Sequence, residues 1–138
     1  MAAGRLFAFG EAGSDSKLAN ISSRGFVQTG DNVLIGGLIL TGTEPLRVIV
    51  RALGPSLPVA GVLANPTLEL RDRNGALLAA NDDWRSAQEN EIVATMLPPP
   101  HERESAIVQT LTPANYTAIV RGFGETSGVA LVEAYALE

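Results

Sequence analysis

The strongest constraint on the fold is a series of short apolar segments, each ended by Gly, Pro, Asn or Asp. Segment 46–53, LRVIVRAL, alternates between two sets of side chains, as a strand with one covered face does. Asn74-Gly75 joins two such segments, and this dipeptide favours a two-residue hairpin because both positions tolerate positive φ. The same criteria predict eight strands, at 18–27, 32–40, 46–53, 67–72, 76–80, 105–111, 116–122 and 129–137.

One segment, SAQENEIVATML at 86–97, has the pattern of a helix. Ser86 and Glu89 have the spacing of a capping box, and a proline run stops the helix after residue 97. The side chains expected to face the sheets are Ile92, Val93 and Met96. Many short strands with one short helix predict an all-β fold, an antiparallel β-sandwich of jelly-roll type.

Composition excludes several classes of protein. The chain has 138 residues, no cysteine and a formal net charge of -5. A thiol nucleophile, a zinc-thiolate site and disulfides are therefore excluded. The basic residues are scattered, which disfavours a nucleic-acid partner. No apolar run approaches the ~20 residues of a membrane span, and the N-terminus lacks the apolar region of a signal peptide, so an export signal is expected in a longer parent.

The chain is expected to form one domain over residues 17–138, preceded by an extension at 1–16. In the extension, Leu6 alternates with Phe7 and Phe9 along GRLFAFGEAG, residues 4–13. This segment is either a linker or first edge strand of its own domain, or a strand donated to another copy.

Three oxygen-bearing residues, Asn81, Asp82 and Asp83, follow an apolar run. Together with Asp72 they are a candidate calcium site, because calcium takes six to eight oxygen ligands. The spacing does not match an EF-hand loop. The alternative is an Asx turn that ends a strand, with Asp82 or Asp83 capping the helix.

Trp84 is the only tryptophan. It is a candidate stacking platform for a sugar ring. The alternative, which we favour, is that its body packs on the core.

Catalytic constellations are poorly supported. His101 is the only histidine, and Ser56 lies in GPSLP, which lacks the G-x-S-x-G elbow of a serine hydrolase. Glu102 with Glu104, and Glu89 with Glu91, have spacings that a glycosidase pair could use. Solvated acidic segments explain them better.

Glu133 lies among apolar residues on one face of the last strand. Since a buried carboxylate needs a partner, we predict an ion pair with an arginine, and Arg51 is the first choice. Its expected role is structural.

Several motifs resemble known modules. Residues 66–137, with Asn74-Gly75, NDDW and YTAIVRG, resemble bacterial pre-peptidase C-terminal (PPC) type domains. Over 17–137, the segments LANISSRG, RALGPSL, NPTLELRD and SGVALVEAY are similar to a module of large exported bacterial proteins. The resemblance implies an extracellular β-sandwich accessory module. PPC-type domains are similar to collagen-binding and carbohydrate-associated modules, some of which bind calcium. An insertion at 85–104 and an added N-terminal half depart from the PPC pattern.

The sequence therefore favours a non-catalytic extracellular module that serves structure or adhesion. Its expected partners are neighbouring modules of a larger protein or other copies, through strand 4–13. The alternative is a module that binds carbohydrate or protein fibres, with or without calcium. No other cofactor is expected.

Overall fold

The structure, a computed structural model, describes residues 2–3 and 21–137. These residues form nine strands, a 3₁₀ turn at Trp84–Ser86 and one helix, α1, at Glu89–Ala94. The strands are β1 (Ala2–Ala3), β2 (Ile21–Val27), β3 (Leu34–Ile39), β4 (Leu46–Leu53), β5 (Pro66–Arg71), β6 (Leu77–Asn81), β7 (Ser105–Leu111), β8 (Asn115–Gly122) and β9 (Gly128–Leu137). The eight strands predicted from the sequence are all present, with small shifts at their ends.

The strands form two sheets. The first has the order β1-β3-β8-β5-β6 and the second has the order β2-β9-β4-β7. Neighbouring strands are antiparallel, except that β1 runs parallel to β3. The predicted all-β sandwich is thereby confirmed.

The main core lies between the sheets because alternate side chains of each strand point inward. In β3, β5 and β8 every second residue is buried. Leu34 and Leu70 of the first sheet belong to the same apolar cluster as Val50 and Val132 of the second. Burial of this surface stabilises the fold by roughly 25 cal/mol per Å² of apolar area.

A hairpin joins β5 to β6 at the predicted place, but it is not the two-residue hairpin expected. The Gly75 N–H donates to the Asp72 carbonyl at 3.0 Å, β6 begins only at Leu77, and Asn74 does not have positive φ. Asp72 Oδ1 accepts hydrogen bonds from the backbone N–H of Asn74 at 2.8 Å and of Ala76 at 2.9 Å. Gly75 has φ 84°, which glycine adopts without a steric penalty. A bulge interrupts the pairing between Leu70 and Arg71.

A second, smaller core covers the outer face of the second sheet. Trp84 of the 3₁₀ turn and Ile92 of α1 pack against Ile49 of β4 and Val108 of β7. The segment between β6 and β7, residues 82–104, therefore covers the outer face of β4 and β7. We call this segment the cover. Neither the 3₁₀ turn nor α1, within the part of the chain described, is long and apolar enough to cross a membrane.

The predicted helix at 86–97 is shorter than expected, and its capping box is wrong. The Ser86 hydroxyl donates to the Asp83 carbonyl inside the 3₁₀ turn. Gln88 occupies the N-cap of α1 without a side-chain capping bond. The cause is the Gln88 amide, which donates to the Val108 carbonyl and accepts from the Val108 N–H, both at 3.0 Å.

The predicted inner face of the helix is also only partly right. Ile92 is fully buried, whereas Val93 is 50% exposed and Met96 is 86% exposed. Met96 has φ 64°, so the chain leaves the helical path before Met96 can turn toward the sheet.

Candidate functional site

The structure brings together the two residues proposed as an ion pair. Arg51 of β4 lies directly opposite Glu133 of β9 in the sheet register. Arg51 Nε donates to Glu133 Oε1 at 3.1 Å, and its Nη2 forms a second, short bond to the same oxygen. The two side chains are only 12% and 11% exposed. A desolvated, doubly bonded arginine–carboxylate pair of this kind fixes strand register more than it adds net stability.

Two further groups form hydrogen bonds with this ion pair. Arg51 Nη1 donates to the Leu97 carbonyl at 3.2 Å, which ties the end of the cover to β4. The Tyr135 hydroxyl donates to Glu133 Oε2 at 3.1 Å. Burial raises the pKa of Tyr135, the Glu133 carboxylate raises it further, and Arg51 partly offsets both.

The Asn81 side chain is a connector between the two sheets. Its Oδ1 accepts from the backbone N–H of Ala106 in β7 at 3.1 Å, and its Nδ2 donates to the Asp83 carbonyl at 3.0 Å. Asn81 is 8% exposed. Because its amide oxygen already serves β7, it is poorly placed to bind a cation.

The four residues of the calcium prediction do not converge. Asp72 lies in the hairpin turn at the opposite end of β6 from Asp82 and Asp83, with one oxygen bound to turn N–H groups. Among the described residues, no group of three or more histidine or acidic side chains could hold a metal ion. The four predicted ligands therefore do not surround one position, and calcium binding stays a prediction.

Asp82 and Asp83 end β6 without capping the helix. Asp83 precedes the 3₁₀ turn but makes no side-chain capping bond. Burial raises the pKa of Asp82, Asp83 raises it further, and Arg103 lowers it. The Asp82 carbonyl lies within hydrogen-bond distance of the Ser105 hydroxyl. Both predictions of a helix cap at these residues are wrong.

Trp84 is buried, so it offers no open ring face for sugar stacking. Its exposed fraction is 4%, and it packs with Ile49 and Ile92. The Arg85 guanidinium lies over the ring, 4.4 Å from its centroid. The indole N–H has no hydrogen-bond partner among the residues of 2–3 and 21–137.

One carboxylate that the sequence predicted to be solvated is instead buried and bonded on both oxygens. Glu104 is 0% exposed. Its Oε2 accepts from the N–H of Gly54 at 2.9 Å, the N–H of Ser56 at 2.9 Å and the Ser56 hydroxyl at 2.6 Å. Its Oε1 accepts from the N–H of His101 at 3.0 Å. The expectation that Glu104 belongs to a solvated acidic segment is wrong, because it holds the 54–56 turn and the 101–104 turn together.

This Glu104 clasp, formed by Gly54, Ser56, His101 and Glu104, contains a serine, a histidine and an acid, but not in triad geometry. Ser56 Oγ donates to the carboxylate and not to the imidazole. His101 Nδ1 accepts from the Arg103 N–H. A triad needs the imidazole between serine and acid, so these three residues do not form one.

Neither of the two candidate glutamate pairs has the arrangement of a glycosidase. Glu102 is exposed while Glu104 is buried, so the two do not face a shared cleft. Glu89 Oε2 accepts from Arg85 at 2.6 Å, and Glu91 lies 3.8 Å from Arg47. These carboxylates form surface ion pairs.

A depression of about 370 Å³ lies beside the 3₁₀ turn. The residues that line it are Asp83, Arg85, Ser86, Glu102 and Arg103. It is therefore a polar surface site that carries both signs of charge.

Most of the N-terminal extension is not described. Leu6, Phe7 and Phe9, and the boundary at residue 16, lie outside the described residues. Of the extension, only β1 is described, and it pairs with Leu34 and Ile35 at the edge of the first sheet.

Comparison with known proteins supports the fold. No protein-family model matches the sequence, and no curated protein matches it. Among solved structures, the chain is similar to the pre-peptidase C-terminal domain of a collagenase from Bacillus anthracis, with a TM-score of 0.57 and 10% sequence identity. The match covers 96% of this chain and 93% of that chain. The N-terminal half, expected to be an addition to the PPC pattern, is therefore included in the match, and the chain has a PPC-like β-sandwich fold.

Proposed function

We propose that the chain is a non-catalytic structural module of an exported protein. The observation that carries this proposal is the Glu104 clasp. The carboxylate that could have served a reaction accepts four hydrogen bonds from two turns, three of them from backbone N–H groups. A buried carboxylate whose two oxygens accept hydrogen bonds from two turns holds those turns in place and offers no exposed oxygen to a substrate.

Other buried and half-buried polar groups support the same role. Arg51 and Glu133 join β4 to β9, Asn81 joins β6 to β7, and Gln88 joins the cover to β7. Each of these contacts connects segments that are distant in sequence. These polar contacts, all within the described part of the chain, hold the two sheets and the cover together.

The PPC-like fold supports an extracellular location and a place within a larger protein. The collagenase domain that the chain is similar to is one part of that enzyme. The expected partners are neighbouring modules of a parent protein, or other copies of this chain. Pairing through Leu6, Phe7 and Phe9 remains part of this proposal.

A test of the non-catalytic role is a comparison of turnover by the full chain and two variants. The substrates are p-nitrophenyl acetate, casein and gelatin, and the variants are Ser56→Ala and His101→Ala. We expect the wild type and both variants to match the rate without protein. Turnover that the wild type shows and Ser56→Ala loses would overturn the proposal.

A second candidate function is binding to carbohydrate or protein fibres. The depression beside the 3₁₀ turn favours it, since it has the size of a ligand site and is lined by both arginines and carboxylates. Pull-down on insoluble polysaccharides and on collagen tests it, with Arg85→Ala/Arg103→Ala as the variant and Arg24→Ala on β2 as the control. Retention by the double variant equal to that of the wild type would exclude the depression as the binding surface.

A further inference from the structure

Strand β6 is an edge strand without the usual protection against pairing. It stands last in the first sheet, and within residues 21–137 only β5 pairs with it. Its apolar run, Ala76 to Ala80, contains no charge and no proline. Leu77 is 52% exposed and Leu78 is 38% exposed. Edge strands are normally blunted by charges, prolines or coverage, because unpaired backbone groups bind further strands.

The neighbouring edge strand, β7, is protected by side chains. Asn81 Oδ1 accepts from the Ala106 N–H, and the Gln88 amide both donates to and accepts from the Val108 backbone. These two amides take the place of a neighbouring strand. Among residues 21–137, this side of the sandwich therefore has one edge closed by side chains, at β7, and one open edge, at β6.

A groove of about 380 Å³ lies beside the open edge. Leu78 of β6 lines it together with Gln109 and Leu111 of β7 and Tyr116 of β8. An apolar side chain that docks on β6 can therefore extend into the groove and lose contact with water.

The charges at the two ends of β6 favour a second copy of the same strand. Arg73 lies in the turn before β6 and is exposed, while Asp82 and Asp83 follow the strand. Asp72 in the same turn is already bound to backbone N–H groups. In antiparallel pairing of β6 with β6, centred on Leu78, Arg73 of each copy lies opposite Asp83 of the other. Opposite charges then meet at both ends, and the uncharged run pairs with itself.

We propose that two copies of this chain associate through antiparallel pairing of β6 with β6, which extends the first sheet across a twofold axis. The interface is short and small, so the dimer forms reversibly with rising protein concentration. This inference deepens the proposed structural role, on which it rests, by naming its assembly surface. The two proposals fail separately, because turnover of a substrate would overturn the structural role without changing the mass of the assembly.

Sedimentation equilibrium of the full chain over a concentration series tests the proposal. The variants are Leu78→Lys, Arg73→Glu, Asp83→Lys and the double variant Arg73→Glu/Asp83→Lys. Each single change raises the dimer dissociation constant about tenfold or more, because every substitution enters a twofold interface twice. The double variant restores the wild-type constant, since it reverses both charges of each pair.

Matched controls separate the surface from general effects. Phe123→Lys removes an exposed apolar side chain elsewhere, since Phe123 is 56% exposed. Arg24→Glu makes the same charge change on β2, which belongs to the other sheet. Both controls keep the wild-type constant, and near-UV circular dichroism confirms that each variant is folded.

Three results would overturn the proposal. The first is a wild type that stays monomeric throughout the series. The second is growth beyond a dimer, which means pairing with a different edge in a head-to-tail array. The third is a dimer that persists in Leu78→Lys but is lost in Phe7→Ser/Phe9→Ser, because the occupant is then segment 4–13.

Discussion

Substitution of Glu104 by glutamine tests the central structural claim, that a buried carboxylate holds two turns together. The glutamine side chain has the same shape, but only one of its two terminal atoms can accept a hydrogen bond. If its oxygen takes the place of Oε2, it keeps the three bonds from Gly54 and Ser56, which lose their charge assistance. The amide nitrogen then faces the His101 N–H, so that two donors meet.

The magnitude follows from these contacts. A hydrogen bond to a charged group contributes about 1.5–3 kcal/mol and a neutral one about 0.5–1.5 kcal/mol, and an orphaned buried donor costs about 1–3 kcal/mol. Removal of the buried charge returns part of this through relief of desolvation. We therefore expect Glu104→Gln to lower the free energy of unfolding by about 2–4 kcal/mol. Each kcal/mol moves the Tm of a domain this size by about 4 °C, so the Tm falls by roughly 8–16 °C.

Thermal unfolding followed by circular dichroism measures this effect, with two comparison variants. Glu102→Gln makes the same charge change on an exposed neighbour and changes stability by less than about 0.5 kcal/mol. Ser56→Ala removes one of the four hydrogen bonds to the carboxylate and costs about 1.5–3 kcal/mol. A Glu104→Gln variant that melts with Glu102→Gln would refute the clasp as a source of stability.

Three further predictions concern other parts of the molecule. The phenol of Tyr135 has a pKa above its ordinary value of 10.0, so its stabilising contribution is complete below about pH 10 and is lost as the pH rises through the folded pKa. Ultraviolet titration, with Tyr135→Phe as the blank, measures the shift. Glu133→Gln makes the upward shift of the Tyr135 pKa smaller. Gly54→Ala destabilises the fold by at least about 2 kcal/mol, because the new Cβ collides with the Leu63 carbonyl oxygen, whereas Gly37→Ala meets nothing within 4 Å and serves as its control in thermal melts. We expect the same Tm in millimolar calcium and in EDTA, because the four predicted calcium ligands do not converge. A ligand that binds only the folded state raises the Tm, so a calcium-dependent rise would contradict this expectation.

The strands were predictable because their signals are local. The strand at LRVIVRAL and the hairpin at Asn74-Gly75 were predicted from residues adjacent in sequence, and the structure has both elements. The one covered face expected for LRVIVRAL is wrong, because β4 is buried on both faces. The Arg51–Glu133 contact was also accessible, since each residue interrupts an apolar strand and a buried charge needs an opposite partner. Sequence alone could not give the register that places them directly opposite each other.

The cover was less predictable because its side chains bind distant backbone. The capping-box pattern at Ser86 and Glu89 is a valid local signal, but Gln88 binds Val108, 20 positions away, and the chain follows that contact. Glu104 lies in an acidic, proline-flanked stretch typical of solvent-exposed loops. Its donors on Gly54 and Ser56 are 50 and 48 positions away, and no local pattern marks them.

The cover explains why this chain contains residues that resemble catalytic ones. The outer face of the second sheet carries Ile49 and Val108, so it needs a covering layer to stay out of water. The segment between β6 and β7 supplies that layer, but a segment with so little helix has few internal backbone bonds to hold it. Gln88, the Leu97 carbonyl and Glu104 attach it at three separate points to β7, β4 and the 54–56 turn. A serine, a histidine and an acid come together at the last of these points because Glu104 fastens the cover where it rejoins the sandwich, and these contacts account for their proximity.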